Sequence, residues 1–188
     1  MPYSAGRDQK QQALGRFSHP DTMARIRGVV DLGAGAGVWR RLARPLPIGQ
    51  VPWVAIEVYR PYVKRFNLRK VYDHVRVRSL TSLKYAGYAG NVFIFGDVLE
   101  HLERADAVRV LRRASSVGTV VVMMPFLPST SEHQGGIESE QHRYVWRWDE
   151  WLDELRALGR RFEIVTLPLG SGRNKGITIL WHPDHLDG

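Results

Sequence analysis

Three acids at strand ends, a glycine-rich turn and three histidines carry the chemistry that this 188-residue chain can offer. Val29-Val30-Asp31-Leu32-Gly33-Ala34-Gly35-Ala36-Gly37 is an apolar run closing on an acid and three alternating glycines. Glycine takes positive φ readily and has no Cβ to hold a ligand off the backbone, so a flat or bulky ligand is expected against this turn. The glycines alone also fit an ordinary strand-to-helix turn. Trp53-Val54-Ala55-Ile56-Glu57-Val58 is a second apolar run, with its acid 20 residues after Gly37. An acid there, at the end of a second parallel strand, offers two oxygens to the two hydroxyls of a ribose. A third run, Asn91 to Gly96, leads into Asp97-Val98-Leu99-Glu100-His101-Leu102, two acids and an imidazole at a strand exit. An imidazole titrates near neutrality, which makes His101 a candidate general base, with His142 and His133 as further candidates. His101 in a helix start also fits a capping or packing role.

Positioning these groups requires parallel strands that end on one edge. From Gly28 onward strand and helix signals alternate: strands at 28–32, 52–57, 74–79, 91–96, 119–124, 162–167 and 177–181, and helices near 37–44, 61–69, 103–116 and 148–158. Such alternation predicts a doubly wound, mostly parallel seven-stranded α/β sheet covered on both faces. The last two strands, joined without a helix, can only form a hairpin, so the final strand is antiparallel. Residues 1–23 are polar, basic and poorly periodic, and are expected to be a flexible extension or a segment that orders on a ligand. Residues 24–188 then form one domain. Pro125 to Arg143 reads as a long connection whose His133, Gln134, Glu138, Glu140, His142 and Arg143 suit a lid or a substrate contact.

The glycine spacing discriminates among ligands. A dinucleotide turn reads G-x-G-x-x-G, whereas here Gly37 comes one place early and Val38 follows it, which favours a ligand without a pyrophosphate. No G-x-x-x-x-G-K-[ST] loop for a nucleoside triphosphate occurs.

Taken in order, Val30-Asp31-Leu32-Gly33-Ala34-Gly35-Ala36-Gly37, the strand-ending Glu57 and Asp97-Val98-Leu99-Glu100-His101-Leu102 resemble the class I S-adenosylmethionine-dependent methyltransferases, in particular the small type with D-V-L-E-H-L after the fourth strand. His142-Arg143-Tyr144-Val145-Trp146 and Trp148-Asp149-Glu150-Trp151-Leu152 are loosely similar to the loop and helix after that family's fifth strand. The resemblance runs from about Gly28 to Trp181. It implies a Rossmann-like fold, S-adenosyl-L-methionine as cofactor, and methyl transfer as the reaction. It further implies that Gly33, Ala34, Gly35 and Gly37 admit the cofactor, that Asp31 orients its amino group, and that Glu57, with Val58 beside it, takes its ribose hydroxyls. Asp97 and Val98 would lie beside the adenosine and methionine portions. Many relatives carry an acid after the third strand for the adenine amino group; here Ser79-Leu80 stands there, and Ser79 is the weaker acceptor.

Composition narrows the acceptor. The absence of cysteine excludes disulfides, thiolate zinc sites and cytosine-C5 methylation through a cysteine adduct. No H-x-x-x-H or H-E-x-x-H pattern occurs, so no metal is expected; Asp97-x-x-Glu100-His101 could bind a cation, but the resemblance accounts for it more simply. No apolar run reaches the roughly 20 residues of a membrane span, and the polar N-terminus lacks a signal peptide's apolar segment, so a cytoplasmic protein is expected. The leading expectation is a small-molecule acceptor methylated at oxygen or nitrogen. The net charge of +8, with Arg60, Lys64, Arg65, Arg69, Lys70, Arg76 and Arg78 close together, keeps open RNA or another phosphate-bearing polymer, or a merely solvated face. The missing N-P-P-Y-type signature disfavours base amino groups of DNA. A non-catalytic, cofactor-binding partner protein is the remaining alternative, prompted by Ser79.

Overall fold

The apolar runs become the strands of one seven-stranded sheet. The computed structural model of the chain describes residues 6–126, 141–167 and 175–186. The strands are β1 (Val29–Leu32), β2 (Trp53–Glu57), β3 (His74–Val77), β4 (Val92–Gly96), β5 (Thr119–Met124), β6 (Phe162–Thr166) and β7 (Gly176–Leu180), in the order β3-β2-β1-β4-β5-β7-β6. The first five run parallel, and β7 lies antiparallel between β5 and β6, as the hairpin expectation required. The helices are α1 (Arg7–Gly15), α2 (Pro20–Ala24), α3 (Val38–Ala43), α4 (Arg60–Arg65), α5 (Arg104–Ser115) and α6 (Trp148–Ala157).

Alternation along each strand splits the core in two. Val30, Leu32, Ile56, Phe93, Phe95, Val120 and Val122 pack with the α5 and α6 side chains Val110, Leu111, Trp151 and Leu155. Val29, Trp53, Ala55, Ile94, Val121 and Met123 pack on the other face with Ala13 and Leu14 of α1 and Trp39 and Leu42 of α3. Because strand side chains alternate, Asp31 and Glu57 fall on the α1/α3 face, at the carboxyl edge of the sheet. The chain winds outward in opposite directions from β1 and β4, and the crevice between those two strands is where such sheets accept ligands.

Two local readings change. The helix expected over 61–69 breaks after Arg65, because Asn67 takes the left-handed conformation (φ 52°), and a single 3-10 turn, Leu68–Lys70, follows. Within the extension expected over residues 1–23, the described part from residue 6 is ordered on the domain: α1 packs against α3, β6 and β7, and Ala13, Leu14 and Phe17 are fully buried. Burial of that short apolar stripe offsets the ordering cost of an otherwise polar segment. Among the described residues no helix is long and apolar enough to cross a membrane.

Candidate functional site

Gly33, Gly35 and Gly37 have φ of 70°, 49° and 70°, but they are glycine for different reasons. A Cβ on Gly33 would stand 2.6 Å from Val98 Cγ2, and one on Gly37 3.2 Å from Tyr72 Cε2, so protein neighbours close on both. A Cβ on Gly35 would meet nothing nearer than the Gly33 carbonyl oxygen at 3.8 Å. Its bare side faces open space, which is the approach a ligand needs. Ala34, by contrast, is buried in the α1/α3 core, and its N–H donates to the Ile56 carbonyl.

Glu57 ties this turn to the end of β2. One carboxylate oxygen accepts the Gly35 N–H at 2.9 Å and the other accepts the Tyr59 N–H at 2.8 Å. Each oxygen has a second acceptor position, so the tether and a bound hydroxyl are compatible. Val58, next along, is 53% exposed, an apolar surface at the same edge.

Asp31 is 1% exposed and accepts a hydrogen bond from the Tyr72 hydroxyl. Burial pushes its carboxyl from the ordinary 3.8 up to about 7; the Tyr72 bond and the Lys10 ammonium act against burial, and the neighbouring Glu57 charge adds to it. Lys10 itself arrives from α1. It is 2% exposed, with Nζ 4.0 Å from Asp97 Oδ2 and 5.4 Å from the centroid of the Trp39 ring. Burial lowers its pKa, while Asp97 works in the opposite direction. The second oxygen of Asp97 faces Lys175 Nζ at 2.6 Å. Asp97 has φ 57°, and its N–H donates to the Met123 carbonyl, so the chain turns sharply where β4 ends. Trp39 packs over Gly96 so closely that a Cβ there would sit 2.1 Å from its Nε1, and this buried N–H has no hydrogen-bond partner among the described residues.

The other expected residues divide. Val98 closes on Gly33, at the cradle. Leu80 is buried in the α5/α6 core, and Ser79 Oγ caps its own 3-10 turn by accepting the Thr81 N–H at 3.3 Å. His101 and His142, chosen from separate segments, come together with ring centroids 5.0 Å apart. Burial, His101 and Lys175 lower the pKa of His142, and Asp97 acts against them, so the histidine pair adjoins the Asp97–Lys175 pair. His133, Gln134, Glu138 and Glu140 lie outside the described residues.

The motifs do not reveal Lys10, Trp39, Tyr72 or Lys175. One signal was present for the first: Lys10, Ala13, Leu14 and Phe17 follow the i, i+3, i+4, i+7 spacing of a single helical face. Together these groups form a cradle with one open glycine, two buried acids and two ammonium groups. That set complements a ligand that bears a vicinal diol, an amino group and a carboxylate.

No protein-family model matches the chain, and no curated protein matches it. Solved structures do. An O-methyltransferase family protein from Burkholderia thailandensis aligns at 16% identity and a TM-score of 0.62 over 95% of this chain, which spans 57% of that protein. The small RNA methyltransferase HEN1 aligns at 14% identity and a TM-score of 0.70, covering 97% of this chain and 26% of that one. The 1,6-didemethyltoxoflavin-N1-methyltransferase of Burkholderia thailandensis, with its substrate and S-adenosylhomocysteine bound, aligns at 14% identity and a TM-score of 0.65, covering 96% of this chain and 79% of that one. At such identities the likeness establishes the fold: a Rossmann-like α/β sheet shared with methyltransferases.

Proposed function

We propose that the chain is an S-adenosyl-L-methionine-dependent methyltransferase that acts on an oxygen or nitrogen of a small-molecule acceptor. The carrying observation is the Gly35 cradle, open on its ligand side and tied by hydrogen bonds to Glu57. Among the structural relatives reported above, the 1,6-didemethyltoxoflavin-N1-methyltransferase acts on a small molecule by its description, which supports the same reading. In it, the Glu57 oxygens take the ribose hydroxyls, Asp31 takes the amino group, Lys10 and Lys175 are cations for the carboxylate, and exposed Val58 lies under the adenine. When bound, the cofactor supplies an electrophilic methyl on a sulfonium. The chain's contribution is to hold acceptor and methyl in line, so positioning carries most of the rate.

Calorimetry with S-adenosylmethionine, S-adenosylhomocysteine and NAD tests this reading. Binding of the first two and not of NAD is expected; binding of NAD alone, or of none, overturns it.

A phosphate-bearing acceptor such as RNA is the second reading. All seven basic residues between Arg60 and Arg78 are exposed, and a cleft of about 290 Å³ opens beside β3, lined by Arg69, Tyr72, Asp73, His74, Val75 and Arg76, with one acid among its cationic groups. RNA affinity that falls steeply with salt is the expected signature, and salt-insensitive or absent binding refutes it.

A further inference from the structure

The loop after β4 brings a carboxylate and two imidazoles together, and the reading above uses none of them as a set. Glu100 and His101 sit on the 3-10 turn Leu99–His101, and His142 comes from the segment that enters α6. The Arg143 and Tyr144 N–H groups donate to the Glu100 carbonyl oxygen at 2.8 and 3.2 Å, which docks that segment on the turn. One ligating atom each from Glu100, His101 and His142 lies within 4.8 Å of the other two. Atoms bound about 2.1 Å from one ion stand roughly 3.0–3.5 Å apart, so small rotations of the half-buried imidazoles close the set.

Two further features favour ligation. His101 Nδ1 is 3.2 Å from the Gln141 carbonyl oxygen. A carbonyl only accepts, so Nδ1 carries the proton and Nε2 keeps its lone pair, as when a metal-bound histidine is oriented by a backbone oxygen. Glu100 is 2% exposed, whereas both imidazoles are half-buried and accessible from solvent.

We propose that Glu100, His101 and His142 bind one first-row divalent cation, of the Mn²⁺, Fe²⁺, Co²⁺ or Zn²⁺ class. Two imidazoles with one carboxylate suit these ions better than Mg²⁺, which prefers oxygen ligands. Three protein ligands leave positions for water or an acceptor oxygen. In the methyl-transfer reading, on which this clause alone rests, a hydroxyl acceptor bound there loses its proton to solvent near neutral pH. Its oxygen then forms a bond to the methyl carbon as the carbon–sulfur bond breaks and the sulfonium becomes a neutral thioether. The two histidines serve as ligands in this arrangement, and neither is the free general base.

The test uses the untagged full chain, stripped with chelator and titrated with Mn²⁺ by electron paramagnetic resonance and with Co²⁺ by visible absorption. One equivalent of each should bind, and His142→Ala or His101→Ala should each weaken binding at least about tenfold. His182→Ala, at the distant His182–His185 pair, should leave it unchanged, and so should millimolar Mg²⁺. Thermal melts show that the variants are folded, and Glu100→Gln provides a further ligand variant. No bound Mn²⁺ or Co²⁺ at 1 mM (about a thousandfold above a micromolar site) overturns the proposal, as does binding that survives His142→Ala or is lost only in His182→Ala. S-adenosylhomocysteine affinity, read separately on the same protein, shows whether the methyl-transfer reading fails instead.

Discussion

Asp31 should make the protein less stable as pH rises, and replacing it should reverse that trend. Its carboxyl titrates near 3.8 in the unfolded chain and at about 7 in the fold, chiefly because it is buried. A raised folded value means that the native state binds the proton more tightly, so the stabilisation is complete below pH 4 and is lost as pH climbs through 7. About three pH units at about 1.4 kcal/mol each give on the order of 4 kcal/mol. For a domain of this size that corresponds to roughly 10 °C in Tm. Asp31→Asn cannot ionise, and its amide oxygen can still accept the Tyr72 hydroxyl. We expect its Tm to exceed that of the parent by up to about 10 °C at pH 8 and to converge with it near pH 4. This is an upper bound, because Lys10 loses an acidic neighbour in the variant. The same variant should bind S-adenosylhomocysteine more weakly despite melting higher, since a stable site and a charged, binding-competent one make opposite demands. Calorimetric melts from pH 4 to pH 8 decide the matter; a Tm difference that is constant across pH, or that grows on acidification, refutes the reasoning.

Lys10→Met removes a cation that holds the Asp31 value down, so the pH midpoint of the parent's stability loss should move upward; an unmoved midpoint would separate the two groups. Glu57→Ala strands the Gly35 and Tyr59 N–H groups and should cost about 2–4 kcal/mol in urea unfolding, with S-adenosylhomocysteine affinity at least about thirtyfold lower. Unchanged affinity would remove Glu57 from the site. Gly35→Ala should lower stability by about 1–2 kcal/mol, from its positive φ alone, yet block cofactor binding. Gly33→Ala should unfold more readily, since its Cβ also strikes Val98; equal Tm losses for the two variants would refute the distinction.

Much of the fold is legible along the chain because the signals are local. Val29 to Leu32, Trp53 to Glu57 and Val92 to Gly96 are apolar runs of strand length, each closing at an acid or glycine, and parallel strands bring such ends to one edge. The break at Asn67 and the capping role of Ser79 are local too, but they depend on backbone conformations that many residues share. Residues 7–17 were harder to read, because a sparse stripe in a polar segment signals a helix only once a surface exists to bury it.

The candidate site follows the same division. Asp31, Gly35, Glu57 and Asp97 announce themselves by residue type and spacing, since steric and hydrogen-bonding needs at a strand-to-helix turn act over a few residues. The proton on Asp31, the seating of Lys10 between Asp97 and Trp39, and the meeting of Glu100 and His101 with His142 belong to the folded molecule alone. Desolvation and charge coupling act through space, between groups that no spacing rule relates, and they take effect only once packing has excluded water and fixed the distances.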